Sequence, residues 1–335
     1  MNPRHLKELC RKLNLGHPIA DPERVHGGFL HFMWRVRTNK GSYAVKQLSK
    51  KIDLKNKNII KNYELTEKIS YQFSQLNVPS VSAIQKHGVR LFIIDDSGFL
   101  VYPWINASAI TEGVISENHA LKISEIISRI HYINLDFKEI PESNINFHTS
   151  DNIIELIKQT EIHGCPFSSD LKKHKPIILT LHDDYKDAIN VLMNYTVVSH
   201  GDLDQKNVLW NNFGEPFLID WESACRLNPT YDIINTAFYW SGIITEDFSS
   251  DLFMKMIKVY QKSGGIIHKE YVEPAFLGTF SWLYWLFYNI ERSYLITESK
   301  EQKILGIQQV NQTLSTIIRL KNVIPTLTKM LMHQI

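Results

Sequence analysis

The segment SHGDLDQKNVLWNNFGEPFLIDWESA, residues 199–224, places acidic and amide side chains at the ends of short apolar runs. The runs TVVSH, NVLW and PFLID have the length and composition of β-strands, and NNFG predicts a hairpin turn between the last two. Asp202 then lies in the loop after the first strand, Asn207 opens the second strand and Asp220 closes the third. Side chains at strand ends can converge on one point without disturbing the core, so these three predict a site.

Two carboxylates and an amide in this arrangement suit phosphoryl transfer. The transferred group carries charge on its oxygens, and Mg²⁺, which prefers hard oxygen ligands, neutralises that charge. A separate carboxylate must orient the attacking hydroxyl and accept its proton. We therefore assign Asp202 to the hydroxyl, and Asn207 and Asp220 to the metal. One isolated aspartate would simply cap a turn, but three related positions favour a site.

Residues that would bind a nucleotide lie upstream in the chain. Gly27 and Gly28 stand at a strand turn, where backbone N–H groups can approach phosphates closely. The run YAVKQL predicts a strand that carries Lys46. A lysine that binds phosphates needs a carboxylate to fix it, and the following helix offers Glu64 and Glu67.

The segment FLVYPWINAS is extended and apolar, and it joins the strand-rich first part of the chain to the helical remainder. Its backbone could pair with the edge of an adenine ring while Tyr102 and Trp104 pack nearby. We therefore expect this connector to complete the nucleotide site.

The first hundred residues predict a small sheet and one helix. HGGFLHFMWRVRT and YAVKQL form a hairpin around NKGS, and VPSVSAI, RLFIID and GFLVYPWI predict three further strands. A helix is predicted over about 55–76, because Leu65, Ile69, Phe73 and Leu76 lie on one stripe. After residue 105 the pattern is helical, with HGCPFSSDLKKHKP as a loop or broken helix.

Composition narrows the class of protein. The chain has 335 residues, more than one core usually holds, so two lobes are expected. Lys and Arg total 37 and Asp and Glu total 35, a balance that argues against binding nucleic acid by broad phosphate neutralisation. The three cysteines, Cys10, Cys165 and Cys225, are far apart, which argues against a disulfide framework or a zinc site.

One apolar stretch needs comparison with a membrane span. Seventeen uncharged residues lie between Glu273 and Glu291, fewer than the roughly 20 that cross a bilayer. A buried aromatic helix is the better interpretation. The N-terminal segment lacks the apolar core of a signal peptide and predicts a short helix instead. We therefore expect a cytoplasmic protein without a membrane partner.

The order G-G, V-K, helical Glu, connector, H-G-D-x-x-x-x-N and I-D-W-E resembles the aminoglycoside phosphotransferase and choline-kinase-like family. These relatives of protein kinases phosphorylate small molecules. The strongest match is VSHGDLDQKNVLW…PFLIDWESACRLNPTYDI, and weaker correspondences run from about Val25 into the C-terminal helices. The chain departs from the usual H-G-D-L-H-P-G-N by adding Asp204 and Lys206, and His31 stands where the family usually has Asn.

The resemblance implies an α+β, bilobal protein-kinase-like fold with a small antiparallel-sheet N-lobe and a larger, mostly helical C-lobe. It places the nucleotide-binding lobe at 1–101, a hinge connector at 102–106 and the helical lobe, with the catalytic loop and acceptor site, at 107–335.

The resemblance also assigns roles to single residues. Asp202 is then the catalytic base, Asn207 and Asp220 bind Mg²⁺, and Lys46 binds phosphate. Glu67 is the favoured partner of Lys46, because it lies twelve residues before a proline as the family's glutamate often does. Glu64 is the alternative.

The predicted reaction moves the γ-phosphoryl group of Mg-ATP, or alternatively Mg-GTP, to a hydroxyl of a small molecule. The family holds aminoglycosides with acids and choline with aromatic faces, and this chain offers both. An aminoglycoside-like or other hydroxylated amine is favoured, with choline, homoserine or a sugar-type metabolite as the alternative. The candidate contacts are Glu222, Glu246, Asp247, Asp251, Glu270, Glu273, Glu291, Tyr239, Trp240, Trp282, Tyr284, Trp285 and Tyr288.

A second alternative is an inert binding protein with a kinase-like fold. Loss of an acid or of the lysine would favour it, but Asp202, Asn207, Asp220 and Lys46 are all present. Protein-kinase features such as H-R-D, D-F-G and A-P-E are missing, which argues against a protein substrate. The expected partners are therefore a nucleotide and a small hydroxyl compound, bound by a monomer or a homodimer.

Overall fold

A computed structural model describes residues 1–25, 31–110, 115–140, 147–245, 247–295 and 299–335. The chain forms two compact units, Met1–Thr111 with His200–Ala224, and Glu112–Ser199 with Cys225–Ile335. The segment His200–Ala224, which carries the predicted site residues, groups with the N-terminal sheet in this division, whereas it was predicted to belong to the helical lobe. The lobe boundaries given there stay a prediction.

The strands of the described residues are short. They are β1 (Glu23–Val25), β2 (Phe32–Thr38), β3 (Gly41–Gln47), β4 (Phe92–Ile94), β5 (Ser97–Pro103), β6 (Ser108–Ala109), β7 (Val197–Ser199), β8 (Val208–Trp210), β9 (Pro216–Leu218) and β10 (Cys225–Leu227).

The helices account for most of the rest of the described chain. They are α1 (Pro3–Leu13), α2 (Lys57–Gln75), α3 (Glu117–Ile133), α4 (Ser150–Ile162), α5 (Ser168–Leu192), α6 (Pro229–Trp240), α7 (Ser250–Lys262), α8 (Val272–Gly278), α9 (Trp282–Tyr294) and α10 (Lys300–Gln334). Short 3-10 turns occur at Gln205–Asn207, Trp221–Ser223, Lys269–Tyr271 and Thr279–Ser281.

In the first unit, five of the described strands form an antiparallel sheet in the order β1-β2-β3-β5-β4. This confirms the predicted small antiparallel sheet. Alternation along β3 sends Val45 into a core with α1, so the adjacent Lys46 lies on the opposite face. In β5, Leu100 and Tyr102 belong to the core on that opposite face. Lys46 thus points away from α1, into the region where the site residues lie.

The helix predicted over about 55–76 is confirmed as α2. Asn56 begins it by accepting a hydrogen bond from the Asn58 N–H, and its apolar stripe is buried at Ile69 and Phe73. Leu76, which was predicted to continue the stripe, is 42% exposed because the helix has already ended at Gln75.

Phe73 stacks on Trp221, with ring centroids 5.2 Å apart and planes 26° apart. Both rings are almost fully buried. Trp221 directly follows Asp220 in sequence, so this contact fixes the backbone beside a predicted site residue.

The run VPSVSAI was wrongly predicted to be a strand. Pro79 has no N–H to donate, and backbone groups of the run bond to two different partners, Leu218 and Val101. Leu218 N–H donates to Pro79 and Val81 N–H donates to Leu218, while Ile84 N–H bonds to Val101. The segment therefore links the five-stranded sheet to β9 rather than joining either sheet as a strand.

The second unit is helical apart from the pair β7–β10 among its described residues. The predicted apolar face of α3 is confirmed, since Ile123 and Ile127 are fully buried. The run HGCPFSSDLKKHKP was wrongly predicted to be a loop or broken helix over its whole length, because α5 begins at Ser168 and continues through Pro176. Pro176 lies on the exposed side of the helix, where water can satisfy the carbonyl that loses its partner.

Nowhere in the described chain does a helix reach the length and apolarity that a bilayer span requires. The uncharged stretch before Glu291 is divided among α8, a 3-10 turn and α9, and Leu283 and Leu286 within it are fully buried.

The stack of α2 on the turn after β9 can be tested by truncation. Phe73→Ala should lower the free energy of unfolding by about 3–5 kcal/mol, because the cavity left under Trp221 cannot close fully. Leu76→Ala, on the same helix but exposed, should cost less than about 1 kcal/mol. Urea unfolding followed by tryptophan fluorescence measures both, and equal costs would contradict the stack.

Candidate active site

The hairpin β8–β9 positions two of the predicted site residues. The strands pair with Val208 opposite Leu218, and the Ile219 N–H donates to the carbonyl of Asn207 at 3.0 Å. Asn207 therefore lies directly across the hairpin from the residue before Asp220. The predicted hairpin and the predicted proximity of these two residues agree with this geometry.

Asp202 and Asn207 are in direct contact. The Asn207 Nδ2 donates to Asp202 Oδ2 at 2.9 Å and to the Asp202 carbonyl at 2.7 Å. Both neighbours of Nδ2 are acceptors, which orients the buried amide and leaves its Oδ1 as the atom that can bind a cation.

His200 fixes the start of the same loop. Its Nδ1 accepts a hydrogen bond from the Asp202 N–H at 3.3 Å, so Nε2 carries the proton and donates to the carbonyl of Ile219 at 3.0 Å. The imidazole thus holds the backbone on both sides of the hairpin, and its role is to position Asp202.

Asp220 has a left-handed backbone, with φ 62° and ψ 59°. A non-glycine residue there costs on the order of 1–3 kcal/mol and persists only where its surroundings hold it. The buried Trp221 on one side and the β9 hydrogen bonds on the other provide that constraint. The strained backbone presents the Asp220 carboxylate to Lys46.

Lys46 is buried and pairs with two carboxylates. Its Nζ lies 2.9 Å from Asp220 Oδ1 and 2.6 Å from Glu222 Oε1. Burial alone would lower the pKa of Lys46, but the charges of Glu222 and then Asp220 outweigh it and raise that pKa. Lys46 therefore stays protonated in a nearly dry environment.

The predicted ion pair between Lys46 and Glu67 is not formed among the described contacts. Glu67 instead accepts the Tyr102 hydroxyl on Oε1 and the Ala83 N–H on Oε2, each at 2.6 Å. Burial dominates its environment and raises the pKa of Glu67 to about 7, although both hydrogen bonds oppose the rise. The alternative partner, Glu64, caps the backbone N–H groups of residues 90 and 91.

Glu222 is the functional candidate that sequence reasoning did not connect to Lys46. Its Oε2 accepts from His31 Nε2 at 3.1 Å, and His31 Nδ1 accepts from the Ser49 N–H at 3.1 Å. Burial would raise the pKa of Glu222, but the His31 hydrogen bond and the Lys46 charge lower it to about 2. The only sequence signal was that His31 departs from the expected asparagine.

The added residues of the DLDQKN loop pair with each other. Lys206 Nζ lies 3.3 Å from Asp202 Oδ2 and also contacts Asp204 Oδ2. Burial, followed by the Asp202 charge, raises the pKa of Asp204 to about 6. Through its contact with the Lys206 ammonium group, Asp204 holds that group beside Asp202.

A cavity of about 530 Å³, within the range of small-molecule sites, is lined by His31, Lys46, Lys206, Asn207, Asp220 and Glu222. Tyr102 and Trp104 also line it, and the Tyr102 hydroxyl donates to Glu67. The backbone N–H of Trp104 donates to the carbonyl of Ser42 at 3.1 Å. The Arg35 guanidinium lies 4.4 Å from the centre of the Trp104 ring.

Gly27, Gly28 and Glu246 lie outside the described residues. Of the candidate acceptor contacts, Trp240 is fully buried in the helical core, whereas Tyr288 is about half exposed.

In the second unit, Asp232 accepts hydrogen bonds from the Ser199 hydroxyl and from His131 Nε2, the latter at 2.9 Å. The other nitrogen of His131 accepts from the Tyr260 hydroxyl at 2.9 Å. All four side chains are buried. Ser199 ends β7, so this buried network is structural and stabilises that strand directly before the segment that carries Asp202.

A family model described as choline/ethanolamine kinase matches residues 23–273. No curated protein matches the chain at a significant level.

Solved structures of small-molecule kinases resemble the whole chain at low identity. A spectinomycin phosphotransferase bound to ADP and spectinomycin has 12% identity and a TM-score of 0.67, covering 94% of this chain and 97% of its own. An ethanolamine kinase from Plasmodium vivax has 14% identity and a TM-score of 0.58, covering 93% and 89%. A choline kinase from Streptococcus pneumoniae has 16% identity and a TM-score of 0.54, covering 93% and 99%. These likenesses confirm the predicted protein-kinase-like α+β fold.

The raised pKa of Glu67 predicts a pH-dependent stability. Between the ordinary value of 4.5 and about 7 the folded chain binds the Glu67 proton more tightly than the unfolded chain, so stability falls as pH rises. Relative to Glu67→Gln, the free energy of unfolding of the parent should fall by about 3 kcal/mol from about pH 5 to about pH 8. Melting temperatures of both proteins across this window measure it, and a constant difference would contradict the assignment.

Proposed function

Since the chain belongs to the choline/ethanolamine kinase family and is therefore a small-molecule kinase with an alcohol group as acceptor, we propose that it moves the γ-phosphoryl group of Mg-ATP to a hydroxylated amine. The observation that carries this proposal is the 2.9 Å contact of Asn207 with Asp202, across the hairpin from Asp220. Catalysis of phosphoryl transfer rests on positioning and charge, and this arrangement provides both.

Asp202 is proposed to orient the acceptor hydroxyl and take its proton. The Asn207 amide and the Lys206 ammonium both contact its Oδ2, so Oδ1 is the oxygen left for the acceptor. Two donors on one oxygen also fix the rotation of the carboxylate. A hydroxyl held at Oδ1 would lose its proton as its oxygen attacks the phosphorus.

Asn207 and Asp220 are proposed to hold Mg²⁺. Their free atoms, an amide oxygen and a carboxylate oxygen, are the hard ligands that this ion prefers, so the residues present fit the metal. No cluster of three or more His, Cys, Asp or Glu side chains suited to a metal occurs among the described residues, which agrees with a site that relies on an amide. When bound, the ion would neutralise charge on the phosphate oxygens.

Lys46 is proposed to bind the phosphates and the segment Tyr102–Ile105 to line the base. Lys46 is already charged and held at the cavity wall, so little ordering is needed when phosphates arrive. The solved relatives support nucleotide use, since the spectinomycin phosphotransferase was determined with ADP and an amicoumacin kinase with AMP-PNP and Ca²⁺. ATP is the proposed donor, with GTP as the alternative.

The acceptor is proposed to be an amine that carries a hydroxyl group. The family model favours choline or ethanolamine, and the likeness to the spectinomycin phosphotransferase supports a larger aminocyclitol or aminoglycoside. All are cationic alcohols, so one acceptor chemistry covers them. We further propose a cytoplasmic location, which the three free cysteines support. A monomer or homodimer that binds no nucleic acid is proposed as well.

A panel of acceptors tests the proposed reaction. Choline, ethanolamine, homoserine, spectinomycin and an aminoglycoside would each be incubated with Mg-ATP or Mg-GTP, and phosphorylated product detected by mass. At least one amino alcohol should gain a phosphoryl group.

Asp202→Ala should bind Mg-ATP as the parent does but lower kcat by roughly two orders of magnitude or more. Equal turnover in the two proteins would remove Asp202 from its role.

The metal assignment predicts a specific defect. Asp220→Asn keeps the size of the side chain but removes its charge. The Mg²⁺ concentration that gives half-maximal activity should therefore rise at least about tenfold, which corresponds to a loss of about 1.4 kcal/mol in Mg²⁺ binding free energy. A Mg²⁺ titration of the rate at saturating ATP measures the shift. Asp204→Asn is the matched control in the same unit and should leave the titration midpoint in place. Superimposable curves for Asp220→Asn and the parent would refute the assignment.

A further inference from the structure

We propose that Glu222, held by His31, is the residue that positions Lys46 for the nucleotide, in place of the helix glutamate Glu67. The inference rests on the proposed role of Lys46 in phosphate binding. It assigns a positioning function to two residues, one at the start of the β2 segment and one just after β9. The contacts on each side of Glu222 carry the argument.

Glu222 is well placed to hold Lys46. Its Oε1 lies 2.6 Å from Lys46 Nζ, the shorter of the two contacts of that ammonium group. Asp220 forms the other contact, but it is also the proposed metal ligand. A carboxylate that binds a cation has less charge to share with a lysine, so Glu222 is the partner that can hold Lys46 in either state.

His31 holds Glu222 in turn. The Ser49 N–H donates to His31 Nδ1, which leaves the proton on Nε2 and directs it at Glu222 Oε2. Each oxygen of Glu222 therefore has its own partner, Lys46 on one and His31 on the other. The His31 ring is packed at its edge against Tyr63, whose hydroxyl lies 3.4 Å from Nε2. The carboxylate consequently has one defined orientation.

Glu67 is a poor substitute. Both of its oxygens already accept short hydrogen bonds, from the Tyr102 hydroxyl and the Ala83 N–H. Through these two bonds Glu67 ties α2 to β5 and to the segment after the helix, which is a structural task. The His31–Glu222–Lys46 chain is called here the lysine relay, and together with Asp220 it provides the described contacts of the ammonium group.

The relay is tested by nucleotide binding without metal. A fluorescent ATP analogue would be titrated into the full chain in EDTA, so that ligation of Mg²⁺ by Asp220 plays no part. Lys46→Ala sets the reference loss of affinity. Glu222→Gln should weaken binding by about tenfold, since Lys46 is then drawn to Asp220 alone, whereas Glu67→Gln should weaken it by no more than about twofold.

A double-mutant cycle separates positioning from general structural damage. His31→Ala should weaken nucleotide binding in the parent by about fivefold, but have little effect in the Lys46→Ala background, because its action passes through that lysine. His31→Gln, which can still donate to Glu222, should restore most of the affinity. Melting temperatures would show that each variant is folded.

Several results would overturn the relay. Glu67→Gln weakening binding as much as Glu222→Gln would return the role to Glu67, and equal losses for His31→Ala in both backgrounds would make His31 structural only. Unchanged affinity in Lys46→Ala would end the relay and the phosphate role of Lys46 together. The loss of turnover in Asp202→Ala is measured separately, so the phosphotransfer reaction stands or falls on its own result.

Discussion

The charge of Lys46 is the constraint around which the first unit is arranged. An ammonium group on the inner face of β3 is nearly sealed from water, and an unpaired charge in such a place is very unfavourable. Two carboxylates, more than 170 residues later in the chain, compensate it. Removing one partner of a buried pair typically costs about 3–5 kcal/mol. The pairing therefore joins the sheet to the segment after β9 and sets the electrostatics of the cavity.

The elements around this pairing hold the backbone that delivers the carboxylates. Trp221 is clamped under Phe73 of α2, and the Ile219 N–H and carbonyl bond to Asn207 and His200 respectively. These constraints allow Asp220 to occupy its left-handed conformation, which few non-glycine residues tolerate. A strained residue that is fixed from both sides is already organised for a ligand, so little reorganisation is needed on binding.

Sequence reasoning succeeded where local chain geometry decides the contact. Asp202 and Asn207 are five residues apart in one loop and are in contact, and the predicted hairpin places Asn207 across from the residue before Asp220. The antiparallel sheet and α2 likewise follow from alternation and helical spacing.

Sequence reasoning failed where tertiary contacts compete. Glu67 has the position of a lysine partner, yet the Tyr102 hydroxyl and the Ala83 N–H occupy it, and no local pattern reveals that competition. His31 and Glu222 meet across 191 residues. The run VPSVSAI has strand composition, but its backbone groups bond to β9 and β5 separately.

A crystal structure of the full chain with Mg²⁺ and a non-hydrolysable ATP analogue would examine the central pairing directly. The account predicts Lys46 Nζ within hydrogen-bond distance of both Glu222 and a phosphate oxygen, whereas Lys46 turned from Glu222 to Glu67 would contradict it.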